Sequence, residues 1–275
     1  MRGISIFAKP SSFVKRRSLP YACLFRGSSI TRGEQMADAL GAKLNPIEGY
    51  EDDLCIHVKP DSMDRVRDGD WIDIIDGDHL VNWLIQRPKV NALAISEYTA
   101  KMYRSWMNNR LVVIEPHHCN FKRERRTRTE VTTVGYIGGE IVFNYPFEEM
   151  RKHINDIGLH FVWLCDYKTR QEVVDFHKNI DICLIWSGPK FRQQSRVPTK
   201  FINATSFGIP TVAYPQHCYQ EVEGRYIRAW TVEEAMRVLE KLKYDVRWYE
   251  YWAGKVAWTE NYHIDRIAER YRELS

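Results

Sequence analysis

Three short segments of this 275-residue chain carry groups suited to holding an anion or moving a proton. The first is Pro198-Thr199-Lys200-Phe201-Ile202-Asn203-Ala204-Thr205-Ser206-Phe207-Gly208, which runs on into Ile209-Pro210-Thr211-Val212-Ala213-Tyr214. It reads as a loop, a helix opened by one cation, a glycine stop and a buried strand. Unpaired N–H groups at a helix start and an ammonium beside them both favour anions, so this segment could hold a diphosphate. An ordinary helix–strand joint with a solvated lysine has the same pattern. The second segment is Val134-Gly135-Tyr136-Ile137-Gly138-Gly139, a strand ending in glycines. Bare backbone there lets a ligand come close, as in phosphate-binding turns, although a plain tight turn would look alike. It is not a GxGxxG, and no acidic residue follows at the ribose spacing. The third is Asp76-Gly77-Asp78-His79, after the strand-like Trp71–Ile75. Carboxylates and an imidazole at the carboxyl end of a parallel strand sit where open α/β sheets place ligands, and they could orient or deprotonate a hydroxyl. A solvated Asp-Gly turn with a helix cap accounts for the same residues. Asp73, inside the strand, is less well placed.

The elements that must position these residues alternate. Ile4–Phe7, Leu54–Val58, Trp71–Ile75, Ala92–Ile95 and Leu111–Ile114 are apolar runs of strand length. Between them lie a helix over Gly33–Gly41 with a glycine stop, a shorter one over Asp78–Ile85, and a third capped by Ser96 with Glu97 at its positive end. The rhythm restarts with strands Thr132–Ile137, Leu159–Cys165, Asp181–Trp186 and Pro210–Tyr214. Helices are expected over Phe147–Ile157, Thr169–Lys178, Lys200–Phe207 and Val232–Leu242, and Arg247–Leu274 is mostly helical and rich in Trp and Tyr. Such alternation, with strands apolar throughout, implies parallel sheets covered on both faces. The stretch near 117–130, polar and without periodicity, reads as a linker between two domains.

Apolar residues at 44% and charged residues at 28% exclude overall disorder. The net charge of +4, from 40 basic and 36 acidic residues, is too small to mark a nucleic-acid binder by itself. It is concentrated in Lys122-Arg123-Glu124-Arg125-Arg126-Thr127-Arg128, either a solvated linker or a contact for phosphates. No apolar run approaches the roughly 20 residues of a membrane helix, and Ile4–Ala8 is too short for a signal-peptide core. The six cysteines form no Cys-x-x-Cys pair, which fits buried thiols in a reducing cytoplasm, the expected location. His117-His118-Cys119 lacks a second ligand cluster at zinc spacing, so no metal is expected. There is no Walker loop, no G-x-S-x-G elbow and no H-E-x-x-H.

The order of these pieces resembles the GT-B glycosyltransferases, specifically the large retaining group that uses nucleotide sugars. The resemblance is carried by Val90–Ala100, Leu111–Pro116, Val134–Gly138, Ile180–Leu184 and, most specifically, Lys200–Ala213. Asn203 and Ser195 stand where that family usually carries a pair of glutamates, and Glu140 follows the glycine turn where a basic residue is usual. Arg192 and Arg196 could supply the missing charge.

That resemblance implies an α/β fold of two Rossmann-like domains facing across a cleft. Residues 1–120 would form an acceptor domain and 131–275 a donor domain, with the final helix crossing back onto the first. Lys200 and Arg196 would stabilise the leaving diphosphate, Gly138 and Gly139 would admit the phosphates or the sugar, Asn203 would face the ribose, and Glu221 would lie near the nucleotide or sugar. Asp76, Asp78 or His79 would orient or deprotonate the acceptor, with Gly27, Arg32 and Gly33 forming another wall. The nucleotide diphosphate sugar would be a co-substrate, with no cofactor and no metal. The acceptor implied is a hydroxyl, on modified viral DNA or on a glycan or lipid at a membrane surface; Lys15-Arg16-Arg17 and the 122–128 run could attract either. A non-catalytic GT-B-like binding protein for nucleotide sugars or nucleic acid, or a nucleotide-sugar epimerase of the same fold, stays open as an alternative.

Overall fold

A computed structural model describes residues 2–9, 12–15, 22–25, 27–75, 77, 79–165, 167–187 and 198–274. Among them are thirteen strands: β1 Ile4–Ala8, β2 Ser12–Lys15, β3 Ala22–Phe25, β4 Lys43–Leu44, β5 Leu54–Val58, β6 Trp71–Asp73, β7 Asn91–Ala94, β8 Leu111–Val113, β9 Thr133–Ile137, β10 His160–Leu164, β11 Ile182–Ile185, β12 Thr211–Ala213 and β13 Ile227–Arg228. The chain divides into two compact units, Met1–Ser12 with Leu24–His117 and Ile264–Ser275, and Phe13–Cys23 with His118–His263.

The first unit holds a six-stranded parallel sheet in the order β4-β1-β5-β6-β7-β8. On one face Ile72, Ile74, Ala92, Ala94 and Val113 pack against Leu80, Val81 and Leu84 of helix Leu80–Gln86 and Ala100 and Tyr103 of helix Glu97–Arg104. The expected Ser96 cap forms: its hydroxyl accepts from the Thr99 N–H at 3.1 Å. Gly41 ends helix Gln35–Leu40 at φ 63°, as a glycine stop should. The C-terminal helix Ile264–Arg272 belongs to this unit. Its buried residues Ile264, Ile267, Ala268 and Tyr271 recur at one-face helical spacing. Arg270 fastens it, pairing with Glu115 and donating to the Val113 carbonyl at 2.6 Å.

The second unit holds a five-stranded parallel sheet in the order β10-β9-β11-β12-β13. Strand alternation sends Val134, Tyr136, Ile182, Leu184 and Val212 to one face, against helices Phe147–Asp156 and Val232–Tyr244. Ile137, Cys183, Ile185 and Ala213 go to the other, against helices Arg170–Lys178 and Thr199–Ser206. The strand order is that of a doubly wound sheet, in which the connections change direction between β9 and β11, and ligands bind outside the strand ends at such a point.

Residues 117–130, expected as a solvated linker, are instead tied into the second unit from His118 onward. Arg126 and Arg128 reach the buried Asp181 carboxylate at 2.8 and 3.3 Å, and Asp181 also accepts from the Thr132 and Thr133 N–H groups. Arg123 pairs with Glu260, and Lys178 with Glu124. Three of the five cations in this run therefore pair with carboxylates of the same unit. Lys15-Arg16-Arg17 lies outside the residues whose side chains are described. No helix among the described residues is long and apolar enough to cross a membrane.

His177 closes helix Arg170–Lys178 inside this core. Its Nδ1–H donates to the Val173 carbonyl at 2.7 Å, its ring stacks on Phe207, and burial pushes its pKa down to about 4. The unfolded chain takes up a proton at this side chain near pH 6.5 and the folded one near pH 4, so stability is full above 6.5 and falls as pH drops toward 4. The loss attributable to His177 is about 3 kcal/mol. His177→Phe keeps the stack, and urea titrations at pH 7 and pH 4.5 should show that slope flattened. An unchanged slope would assign the acid sensitivity elsewhere.

Candidate functional site

The point where the second sheet changes direction is occupied by two of the expected segments. Gly138 follows β9 directly, and Lys200 is the second residue of helix Thr199–Ser206, on the return from β11 toward β12. Gly138 has φ 130°, a region closed to ordinary side chains. A Cβ on Gly138 would lie 2.7 Å from the Lys200 ammonium and 3.3 Å from the Tyr136 hydroxyl. The missing side chain therefore lets the lysine pass over the end of β9. Its helix packs on one face of the sheet, yet its Nζ reaches Tyr136 on the other, donating to the phenol oxygen at 3.0 Å and lying 4.3 Å from the ring centre.

The glycine turn is held from beneath. Its Gly138 N–H donates to the Leu164 carbonyl at 2.9 Å, which continues the β9–β10 ladder by one residue. The Trp163 indole N–H donates to the Gly138 carbonyl at 2.7 Å, and the Tyr136 hydroxyl donates to the Gly139 carbonyl at 3.1 Å. Both turn carbonyls thus have their negative ends engaged by side chains, and the Lys200 cation stands on the same turn. Helix Thr199–Ser206 starts at Pro198, which has no side chain able to cap it, so among the described residues no N-cap side chain takes up its first N–H groups. Beneath it, burial pushes the Cys183 thiol up to about 12, against the pull of the Lys200 charge, and keeps it a neutral core group. The ensemble has the electrostatics of an anion site: a cation, an open helix start and a turn without side chains.

Gly138→Ala puts a methyl group where the ammonium sits and forces a disfavoured φ. Its expected cost is about 1–3 kcal/mol of stability, read from chemical denaturation. Wild-type stability would mean that the turn relaxes freely.

The other expected site residues fare differently. Asn203 is one turn beyond Lys200, but its side-chain carbonyl accepts from the Cys119 N–H at 2.8 Å, so it anchors the 118–130 segment and does not offer that oxygen to a ribose. Glu221 is exposed on the short 3-10 helix His217–Val222. Arg196, with Arg192 and Ser195, lies outside the described residues, as do Asp76 and Asp78. His79 is exposed and meets Trp83 edge to face at 5.9 Å, while Gly77 is buried and its N–H donates to the Ile74 carbonyl. Ile75, just before them, has φ 41°, a strained value for a β-branched residue. No three His, Cys, Asp or Glu residues among those described are grouped to hold a metal.

Arg32 is not a cleft wall. It is fully buried, its Nε donates to Asp73 Oδ2 at 2.6 Å, its Nη1 donates to the Glu115 carbonyl at 3.0 Å, and the Tyr271 phenol also donates to Asp73 Oδ2 at 3.2 Å. Gly33 is a packing residue: a Cβ there would lie 2.5 Å from that of Ala8. Gly27 accepts the Thr31 hydroxyl at its carbonyl. A glycine–arginine–glycine cluster before a helix reads as a ligand loop in sequence, and here it is the packing of that helix on the sheet.

Solved structures were compared with this geometry in place. The accessory secretory protein 1, 2 and 3 structure of Streptococcus pneumoniae matches 83% of this chain at 10% identity and TM-score 0.57. This chain spans only 53% of that one. AviGT4, a glycosyltransferase involved in avilamycin A biosynthesis, matches over 99% of this chain and 96% of its own at 9% identity and TM-score 0.54. A DNA-modifying β-glucosyltransferase, solved with and without uridine diphosphoglucose, matches over 99% of both chains at 11% identity and TM-score 0.56.

The chain has the GT-B fold.

Identities this low establish architecture alone. No family model and no curated protein sequence matches the chain. Within the GT-B framework the Lys200 helix and the β9 turn are adjacent because of sheet order, since the helix that follows β11 opens beside the end of β9. Sequence reasoning missed Tyr136 and Trp163 as parts of the site. Both were legible only as strand residues, and their roles come from the register that sets Trp163 opposite Tyr136.

Proposed function

We propose that this chain is a glycosyltransferase that moves a sugar from a nucleotide diphosphate sugar to an acceptor hydroxyl. The observation that carries the proposal is the Lys200 ammonium laid across the φ 130° glycine at the turning point of the second sheet. A diphosphate bound there meets an ammonium and an uncapped helix start. As the bond between sugar and diphosphate breaks, negative charge grows on the departing oxygen, and fixed cations and dipoles stabilise that charge without reorganising. Cationic side chains and the helix dipole perform the neutralisation in a metal-independent scheme. Retention at the anomeric carbon is the outcome we assign, by likeness to the retaining group. Arg196, Glu221 and the Asp76, Asp78 and His79 segment remain our candidates for the donor and acceptor sides. The acceptor we favour is a base-borne hydroxyl of modified DNA, because the DNA-modifying β-glucosyltransferase matches this chain end to end.

A thermal-shift screen with uridine, adenosine and guanosine diphosphates and their sugars tests the donor. A ligand at 100 times its Kd stabilises the fold it binds by about 2.7 kcal/mol. One diphosphate should raise the midpoint, and a flat response to all of them would overturn the reading. DNA binding that weakens steeply between low and moderate salt supports the acceptor assignment, and no binding at low salt removes it.

A second reading is favoured by Asn203. With its carbonyl committed to Cys119, the position offers no carboxylate to a ribose, as a nucleotide-sugar binding protein without transfer activity would tolerate. Release of the nucleoside diphosphate from a nucleotide sugar, with or without acceptor, decides for the enzyme.

A further inference from the structure

We infer that Tyr136 is the positioning residue of the diphosphate site: its hydroxyl fixes both the Lys200 ammonium and the glycine turn. This inference rests on the donor-site reading above and adds a residue to it. Tyr136 is fully buried, and its ring is locked edge to face with Phe143 and Phe147 at 4.7 and 6.1 Å. The phenol oxygen is therefore a fixed point. It accepts one ammonium proton from Lys200 at 3.0 Å and donates its own proton to the Gly139 carbonyl at 3.1 Å.

The two bonds run head to tail, N–H to O–H to O=C, so each polarises the next. The consequence is mechanical as well. A free lysine side chain has rotamer entropy to lose when it is ordered on a ligand. Here the ring face and the phenol oxygen order it before any ligand arrives. The same hydroxyl engages the Gly139 carbonyl, and Trp163 engages that of Gly138 at 2.7 Å. A turn whose carbonyls are engaged by side-chain donors presents less negative charge to an anion. A buried tyrosine in a strand would ordinarily need one partner for its hydroxyl. This one has two, and they are the two halves of the proposed site.

Calorimetric titration with inorganic pyrophosphate, which carries no base, tests the inference on wild type, Tyr136→Phe, Lys200→Met and the double variant. Tyr136→Phe keeps the ring and its packing. It should bind pyrophosphate about tenfold more weakly, the value of one charge-assisted hydrogen bond. In the Lys200→Met background the same substitution should cost less, about threefold or under, because only its hold on the Gly139 carbonyl is then left to lose. A general loosening of the core would weaken both backgrounds alike, and that result would overturn the inference. So would Tyr136→Phe binding like wild type while Lys200→Met binds poorly, an outcome that leaves the donor site itself intact. If wild type does not bind pyrophosphate, or binds it independently of Lys200, the donor-site reading fails and the inference fails with it.

Discussion

Lys200→Met should lower the rate of nucleoside diphosphate release from a nucleotide sugar by about 100- to 1,000-fold and leave the unfolding midpoint close to wild type. The rate effect follows from what the ammonium does. In the ground state of the proposed reaction it faces a diphosphate already charged; in the transition state it faces additional charge on the departing oxygen, and removal of one such preorganised group typically costs that factor. Methionine preserves the length of the stem and its contact with the Tyr136 ring, so the charge is removed without opening a cavity. The stability effect is small because Lys200 is only partly buried, and its ring contact and its bond to Tyr136 offset its own partial desolvation. The pairing of a large kinetic effect with a small thermodynamic one is the diagnostic. A Lys200→Met protein that turns over like wild type removes the residue from the reaction, and one that unfolds early would make it a structural lysine.

Much of the architecture was written locally. Strand positions followed from apolar runs, and one helix start from Ser96, which accepts the Thr99 N–H; Thr169 and Thr231 cap two further helices in the same way. Gly41 and Gly208 end their helices at φ 63° and 76°. Lys200 and Gly138 were legible as anion-site material because helix starts and glycine ends have intrinsic chemistry. What escaped was decided by sheet order. The two-residue strand Lys43–Leu44 has no pattern of its own and exists because β1 offers it an edge. The basic run looked solvated because its partners, Asp181 and Glu260, are remote in sequence. Asn203 looked available because nothing nearby in the chain foretells the Cys119 N–H.

Arg32 is the sharpest instance, and it makes the second large prediction. An arginine between two short glycine-containing stretches looks like a surface ligand, yet its partner Asp73 is 41 residues away, and Tyr271, bonded to that aspartate, is 198 residues beyond it. Burial alone would press the Arg32 guanidinium toward neutrality, but Asp73, Tyr271 and Glu115 together outweigh burial and raise its pKa. Burial likewise pushes the Tyr271 phenol up, which keeps it a neutral donor to Asp73. Both charges are fully buried, and Arg32 Nη2 and Asp73 Oδ1 have no hydrogen-bond partner among the described residues. The pair is thus intolerant of losing one member. Arg32→Met should destabilise the first unit by about 3–5 kcal/mol, because the Asp73 carboxylate is left buried without its counter-charge. Arg32→Met combined with Asp73→Leu should recover most of that loss, since no charge is then stranded in the core. Urea denaturation of the single and double variants measures both numbers. If the single variant costs under about 1 kcal/mol, water reaches this pair and its burial does not hold in solution; if the double variant is as unstable as the single, the loss comes from packing around Tyr271 and the C-terminal helix and not from the orphaned charge.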